Sequence, residues 1–327
     1  MNKAKIIIGI IISAVLIVLS VKGIDYQAAL VKLKNIQLSY VILFVILMVF
    51  MQYLRSYRWG VILQPLEKIG QLPLFSVTCV GFMAIAAIPA RIGELARPYL
   101  ISKRSSIKMS AALGTVIVER FLDSFTVLGM ALIVLMLFDL PSWMLVASII
   151  FSIFALALFC FILFLILRRE AALKFVNSIL KRLPGKLAGK IDQVIHHFID
   201  GLQIITNIKL LLYLLILSIV IWLLDVLAIY VLLLAFGFDL PVIASFILMI
   251  LVIVGIAIPT APGFVGNWHY FCYLALSIFN VTKTDAVSFA VIHHFLSMVI
   301  VLVFGIAFLP SNTFSIAEMK KQMNSNG

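Results

Sequence analysis

Ile88-Pro89-Ala90-Arg91-Ile92-Gly93-Glu94-Leu95-Ala96-Arg97-Pro98 sets two arginines, a glutamate and two prolines inside apolar sequence. A second break, Ile258-Pro259-Thr260-Ala261-Pro262-Gly263-Phe264-Val265-Gly266-Asn267-Trp268-His269, recurs in the other half. Apolar runs flank both. An arginine at the bilayer centre costs roughly 2.5–3.5 kcal/mol on insertion scales, so such residues persist where they face protein or a wet cavity. Paired broken segments in two halves point to a transporter's binding site.

Composition fixes the class. The chain is 64% hydrophobic and only 12% charged, far from soluble usage. Apolar runs at 38–54, 143–167 and 210–236 approach or exceed a bilayer core, and 6–21, 121–138, 240–258 and 286–310 are further candidates. These predict an all-α polytopic membrane protein, one transmembrane domain over 1–327. Met1 to Val21 reads as an uncleaved first helix, because no small-residue cleavage site follows it. Segment 168–209 reads as an amphipathic linker and 311–327 as a short polar tail.

The net charge of +12 speaks to orientation rather than to nucleic acid. Basic residues gather in 55–68, 103–108, 168–209 and 320–321, which the positive-inside rule assigns to the cytoplasm. The turns Phe138-Asp139-Leu140-Pro141 and Phe238-Asp239-Leu240-Pro241 carry no basic residue and fall outside. Both termini are then cytoplasmic, in the cytoplasmic membrane, and 22–37 is external. A basic inner face suits anionic headgroups. Cys79, Cys160 and Cys272 sit in apolar runs, give no disulfide framework and read as small buried hydrophobes.

The halves, about 38–140 and 209–310, share an order of features. Leu72-Pro73 opens a run that ends at Pro89 and Gly93, and Leu240-Pro241 opens one that ends at Pro259 and Gly263. The helix after Arg120 must run outward and the helix after His294 inward, which makes the repeat inverted. Segments 73–90 and 241–258 then read as re-entrant hairpins entering from opposite sides, since proline and glycine at their ends allow the chain to reverse.

Arg91, Glu94 and Arg97 fall at i, i+3 and i+6, so that Glu94 can bridge two guanidiniums and leave one positive charge for a phosphate. The alternative is an ion-pair lock that only holds the hairpin. Glu119 and Asp123 share a helix face, with Arg120 to one side. They either pair with Arg91 or Arg97 or couple protons. Arg55 and Arg58, with Tyr53, Tyr57 and Trp59, read as an interfacial belt with snorkelling arginines, or as a headgroup entry site. His269, His293 and His294 lack the partners of a metal site and read as polar lining of the second half-site or as packing. Asp225, inside an apolar run, needs a partner or a proton. Phosphate-binding loops, dinucleotide fingerprints and nucleophile elbows are absent from the sequence.

The run Pro89-Ala90-Arg91-Ile92-Gly93-Glu94-Leu95-Ala96-Arg97-Pro98, then Glu119-Arg120-Phe121-Leu122-Asp123, then Pro262-Gly263-Phe264-Val265-Gly266 resembles the lysylphosphatidylglycerol synthase transmembrane family, also called flippase-like or UPF0104 proteins. The resemblance covers roughly residues 5–310. It is similar to the N-terminal flippase domain of multiple peptide resistance factors, which protect against antimicrobial peptides. Phe264 stands where a second glycine is usual, and Asn267-Trp268-His269 where threonine and glutamate are common.

The resemblance implies a lipid flippase. Its cargo is an anionic or aminoacylated phospholipid of phosphatidylglycerol type, or a lipid-phosphate carrier, moved between leaflets. Arg91, Glu94, Arg97, Glu119, Arg120 and Asp123 are the implied functional positions, with Pro259, Gly263, Asn267 and His269 as the second half-site. No cofactor, metal or nucleic acid is expected. Catalysis is not expected either, since no segment reads as the soluble synthase domain. The alternative is an accessory subunit of a separate lipid-modifying enzyme, either a phosphatidylglycerol lysyltransferase or a lipid-carrier glycosyltransferase.

Overall fold

The computed structural model describes residues 3–88, 93–138, 207–258 and 261–312, and singly Val146, Ile149, Ile153 and Ala157. Every element among the described residues is helical: α1 Lys3–Val21, α2 Tyr26–Lys34, α3 Leu38–Leu63, α4 Gln71–Ala87, α5 Ala96–Arg104 and α6 Met109–Leu137. After the undescribed stretch come α7 (Ile208–Ala235), α8 (Ile243–Ala257), α9 (Asn267–Ser277) and α10 (Lys283–Phe308). The expected run 143–167, most of the linker 168–209 and the tail beyond Asn312 lie outside the described residues.

Four helices, α3, α6, α7 and α10, are long and apolar enough to cross a bilayer, and the bent pair of α1 and α2 would make a fifth. The protein is a multi-pass helical membrane protein. α4 and α8, with 17 and 15 residues, are apolar but short of a full crossing.

Local chemistry explains where these helices stop. α4 tolerates Pro73 because it sits in the first turn, where its missing N–H has no helical partner in any case. α8 ends at Ala257 because Pro259 follows one residue on. Ile258, the residue before that proline, is extended at φ −73° and ψ 123°, as the ring of Pro259 demands.

The succession of lengths repeats. α3, α4, α5 and α6 have 26, 17, 9 and 29 residues, and α7, α8, α9 and α10 have 28, 15, 11 and 26. In both runs the short apolar helix stops well before the next one begins: α4 ends at Ala87 and α5 opens at Ala96, and α8 ends at Ala257 and α9 opens at Asn267.

The chain divides into two compact units, and the long helices α3 and α7 contribute to both. The first unit comprises Met1–Leu54, Cys79–Glu94 and Val220–Ala307. Within it α9 packs on α8 and α1, and Phe44, Ile247, Leu248, Leu276, Phe289 and Ala290 are buried. The second unit comprises Arg55–Thr78, Leu95–Ile219 and Phe308–Gly327. There α5 packs on α6, and Trp59, Leu63, Leu74, Tyr99, Ile101 and Leu122 are buried. Cys79 and Cys272 are buried free thiols, and Cys160 lies outside the described residues.

Candidate functional site

In the second unit a charged cluster forms from three helices. α5 opens at Ala96, so Arg97 projects from its first turn, while Glu94 belongs to a short 3-10 turn at 93–95. α6 contributes Glu119 and Asp123, one turn apart on one face, with Arg120 beside them. α3 contributes Arg58 and Trp59.

Arg97 Nη1 donates to Glu119 Oε1 and Nη2 to Oε2, both at 2.8 Å. This is a two-bond fork that holds the carboxylate in plane. The Arg97 guanidinium carbon lies 4.2 Å from the centroid of the Trp59 ring, close enough for a cation–π contact. Trp59 is itself fixed, its Nε1 donating to Thr115 Oγ1 at 3.1 Å. Arg58 Nη1 donates to Asp123 Oδ1 and to Ser218 Oγ of α7, both at 2.7 Å. Arg58 Nη2 lies 3.8 Å from Glu119 Oε1. Arg120 Nη2 donates to Glu119 Oε1 at 3.0 Å, and its Nη1 lies 3.8 Å from Asp123 Oδ2.

Burial separates the three arginines. The side chains of Arg58, Arg97 and Glu119 are each 1% exposed, whereas that of Arg120 is 44% exposed. A buried ion network is tolerated because each charge faces an opposite one and is hydrogen-bonded. These five groups carry three positive and two negative charges, and the exposed one is positive.

The interfacial reading of Arg58 and Trp59 is corrected by this geometry. Both are buried. A snorkelling arginine would keep its head in water; this one bonds Asp123 and Ser218 instead. Tyr57 does fit the belt, being exposed with its hydroxyl 3.1 Å from that of Tyr213. Arg58, Trp59 and Ser218 are the cluster members that sequence reasoning did not select. The signal available was an Arg-Trp pair one turn inside the end of a long apolar helix.

The first unit holds the second break. Gly263 and Phe264 both have left-handed backbone, at φ 70° and 57°. Phe264 therefore occupies a conformation that glycine adopts without a Cβ penalty. Gly266, at φ 93°, approaches α1 so closely that a Cβ would lie 2.6 Å from the Ser13 carbonyl oxygen. The Ser13 hydroxyl accepts from the Ala261 amide at 2.9 Å. Gly93 makes a similar approach to α4, where a Cβ would meet the Ala84 carbonyl oxygen.

Asn267 is buried and its Nδ2 donates to the carbonyls of Gly255 and Ile258 at 2.7 and 3.1 Å, so it caps the end of α8. His294 Nε2 donates to the Gly263 carbonyl at 2.7 Å. His269 stands edge-on to His294, with centroids 4.9 Å apart, and its Nδ1 accepts from the Gly266 amide at 3.4 Å. Trp268 Nε1 donates to His293 Nδ1 at 3.2 Å, which leaves the neutral ring's proton on Nε2. Among the described residues no group of metal-ligating side chains could hold an ion. Arg91 and Pro259 lie outside the described residues.

A membrane-spanning helical domain with an internal arginine–carboxylate network is the class these observations define. The family described as the lysylphosphatidylglycerol synthase TM region matches residues 6–305, and the chain belongs to that family. A UPF0104 membrane protein of Methanothermobacter thermautotrophicus is 26% identical, over 96% of this chain and 96% of its own. A UPF0104 membrane protein of Methanocaldococcus jannaschii is also 26% identical, over 93% of each chain. No solved structure matches the chain significantly.

Proposed function

We propose that the protein is a flippase of the cytoplasmic membrane. It would move an anionic or aminoacylated phospholipid of phosphatidylglycerol type, or a lipid-phosphate carrier, between leaflets. The observation that carries this reading is the partly exposed Arg120 guanidinium at the edge of a buried network of arginines and carboxylates. A phosphodiester carries one negative charge and accepts the parallel hydrogen bonds that a guanidinium donates. In this reading Arg120 meets the headgroup, while Arg58 and Arg97, buried on their carboxylates, position Glu119 and Asp123. Paired to arginines, those two carboxylates serve as counter-ions rather than as proton carriers. Arg91, Glu94, Pro259, Gly263, Asn267 and His269 are further proposed substrate-binding positions.

The repeated succession of helix lengths supports a repeat, which charge placement reads as inverted, and the shortness of α4 and α8 supports re-entrant hairpins. Cytoplasmic termini and a role in peptide resistance complete the proposal. The test is translocation of labelled phosphatidylglycerol in proteoliposomes, wild type against Arg120→Gln. Transport above empty vesicles that the variant loses supports the reading; equal rates in both, or none above empty vesicles, reject it.

A second reading rests on the family description, which names the membrane region of a synthase. As an accessory subunit the protein would hold a separate lipid-modifying enzyme at the membrane. Lipid modification that depends on the protein while translocation is absent would favour it.

A further inference from the structure

We propose that α2 is an interfacial helix, lying in the plane of the bilayer surface with phospholipid as its partner. It follows α1 with a bend of 84°. The bend is built locally: Gly23 has φ 79°, and the Asp25 carboxylate caps α2 by accepting from the Gln27 and Ala28 amides at 2.9 and 3.1 Å.

Both ends of α2 are tied to the ends of other helices in the same unit. Lys283, at the start of α10, donates through Nζ to the carbonyls of Leu19 and Lys22 at 2.8 and 2.7 Å. The Asp25 amide donates to Thr284 Oγ1 at 3.2 Å. At the far end the Gln37 amide donates to the Ala235 carbonyl, the last residue of α7, at 3.0 Å. Lys32 Nζ lies 4.7 Å from the centroid of Phe238. α7 and α10 are crossing helices, so α2 is fastened at the level where they leave the hydrocarbon.

A continuation of the α1 span, or a re-entrant loop, would carry α2 away from those ends and bury Lys32 and Lys34 in lipid. The composition fits the surface instead. Tyr26, Leu30 and Leu33 fall at i, i+4 and i+7 and form one apolar stripe. Tyr26 and Leu30 are 67% and 59% exposed, and no residue of α2 is buried by protein. Lys34 flanks the stripe, where its ammonium group reaches phosphates while the stem stays in the apolar layer, and Lys32 lies toward the opposite face over Phe238. Bilayer is the partner that covers such a stripe at the level of the span ends.

The experiment uses the full chain in phosphatidylglycerol–phosphatidylcholine vesicles, with nitroxide labels at Leu30→Cys and, separately, Ala28→Cys. Ala28 is exposed and lies opposite the stripe. Native Cys79, Cys160 and Cys272 are changed to alanine. The ratio of oxygen to water-soluble nickel accessibility is expected to be severalfold higher at position 30 than at 28. A photo-crosslinking residue at position 30, in the chain with its native cysteines, is expected to give a phospholipid adduct severalfold above that at 28. Equal nickel accessibility at both positions places α2 in water and overturns the proposal. So does oxygen accessibility at both, which would insert it, or a crosslink from position 30 to a second copy of the chain.

Discussion

Arg97 and Glu119 meet as two parallel forks, each hydrogen bond 2.8 Å long, beneath the ring of Trp59. The pair joins α5 to α6 and is buried on both sides. A charge pair at such a place is held by mutual neutralisation, so removing either partner takes from the other its two-bond counter-charge.

Arg97→Gln and Glu119→Gln are each expected to destabilise the protein by about 3–5 kcal/mol, the usual penalty for stranding a buried charge. The double substitution is expected to cost less than the sum of the two, because it removes both charges. Thermal unfolding in detergent micelles reads this, and strict additivity would show that the two groups do not interact.

Arg120→Gln is expected to leave thermal stability close to wild type, since that side chain is 44% exposed. Binding and translocation of an anionic lipid are expected to fall by an order of magnitude or more, reading the lost charge-assisted bonds at about 1.5–3 kcal/mol. Unchanged headgroup binding would remove Arg120 from the site.

Arg58 is the residue that ties α3 to α6 and α7. Ser218→Ala removes one of its two 2.7 Å bonds and is expected to cost about 1.5–3 kcal/mol. Arg58→Gln also leaves Asp123 without this cation and is expected to cost more. A surface arginine would show neither effect, so a neutral outcome for both variants would restore the interfacial reading.

Gly93→Ala drives a Cβ into the Ala84 carbonyl, and Gly266→Ala drives one to 2.6 Å from the Ser13 carbonyl oxygen. Each is expected to destabilise by about 1–3 kcal/mol through overpacking. Gly129, in the middle of α6, has nothing within 4 Å of an added Cβ. Gly129→Ala is therefore expected to stabilise by about 0.5–1 kcal/mol through helix propensity. Melting temperatures that rise for Gly93→Ala and Gly266→Ala would refute the close approaches.

Asn267→Ala removes two hydrogen bonds from the end of α8. The expected loss is about 1–3 kcal/mol, since a buried carbonyl there has no water to replace the amide. Amide exchange in the α8–α9 segment should rise in step; exchange unchanged there would mean that the cap is dispensable.

Composition and apolar run length alone determined that this is a multi-pass helical protein, because a bilayer demands long apolar helices whatever their packing. Sequence also marked the ends of α4 and α8, since proline acts on its immediate neighbours. It singled out Arg97, Glu119, Arg120 and Asp123 as charges that lipid would not tolerate unpaired. The bend between α1 and α2 was less legible, because Gly23 and Asp25 permit a turn without fixing its angle. Tertiary structure alone decided the partners. Arg58 lies 65 residues from Asp123 and 160 from Ser218. An arginine beside a tryptophan near a helix end reads the same whether it snorkels to water or turns inward. Only the packing of α3 against α6 and α7 withdraws the water and supplies the carboxylate, and that choice is written in no local stretch of the chain.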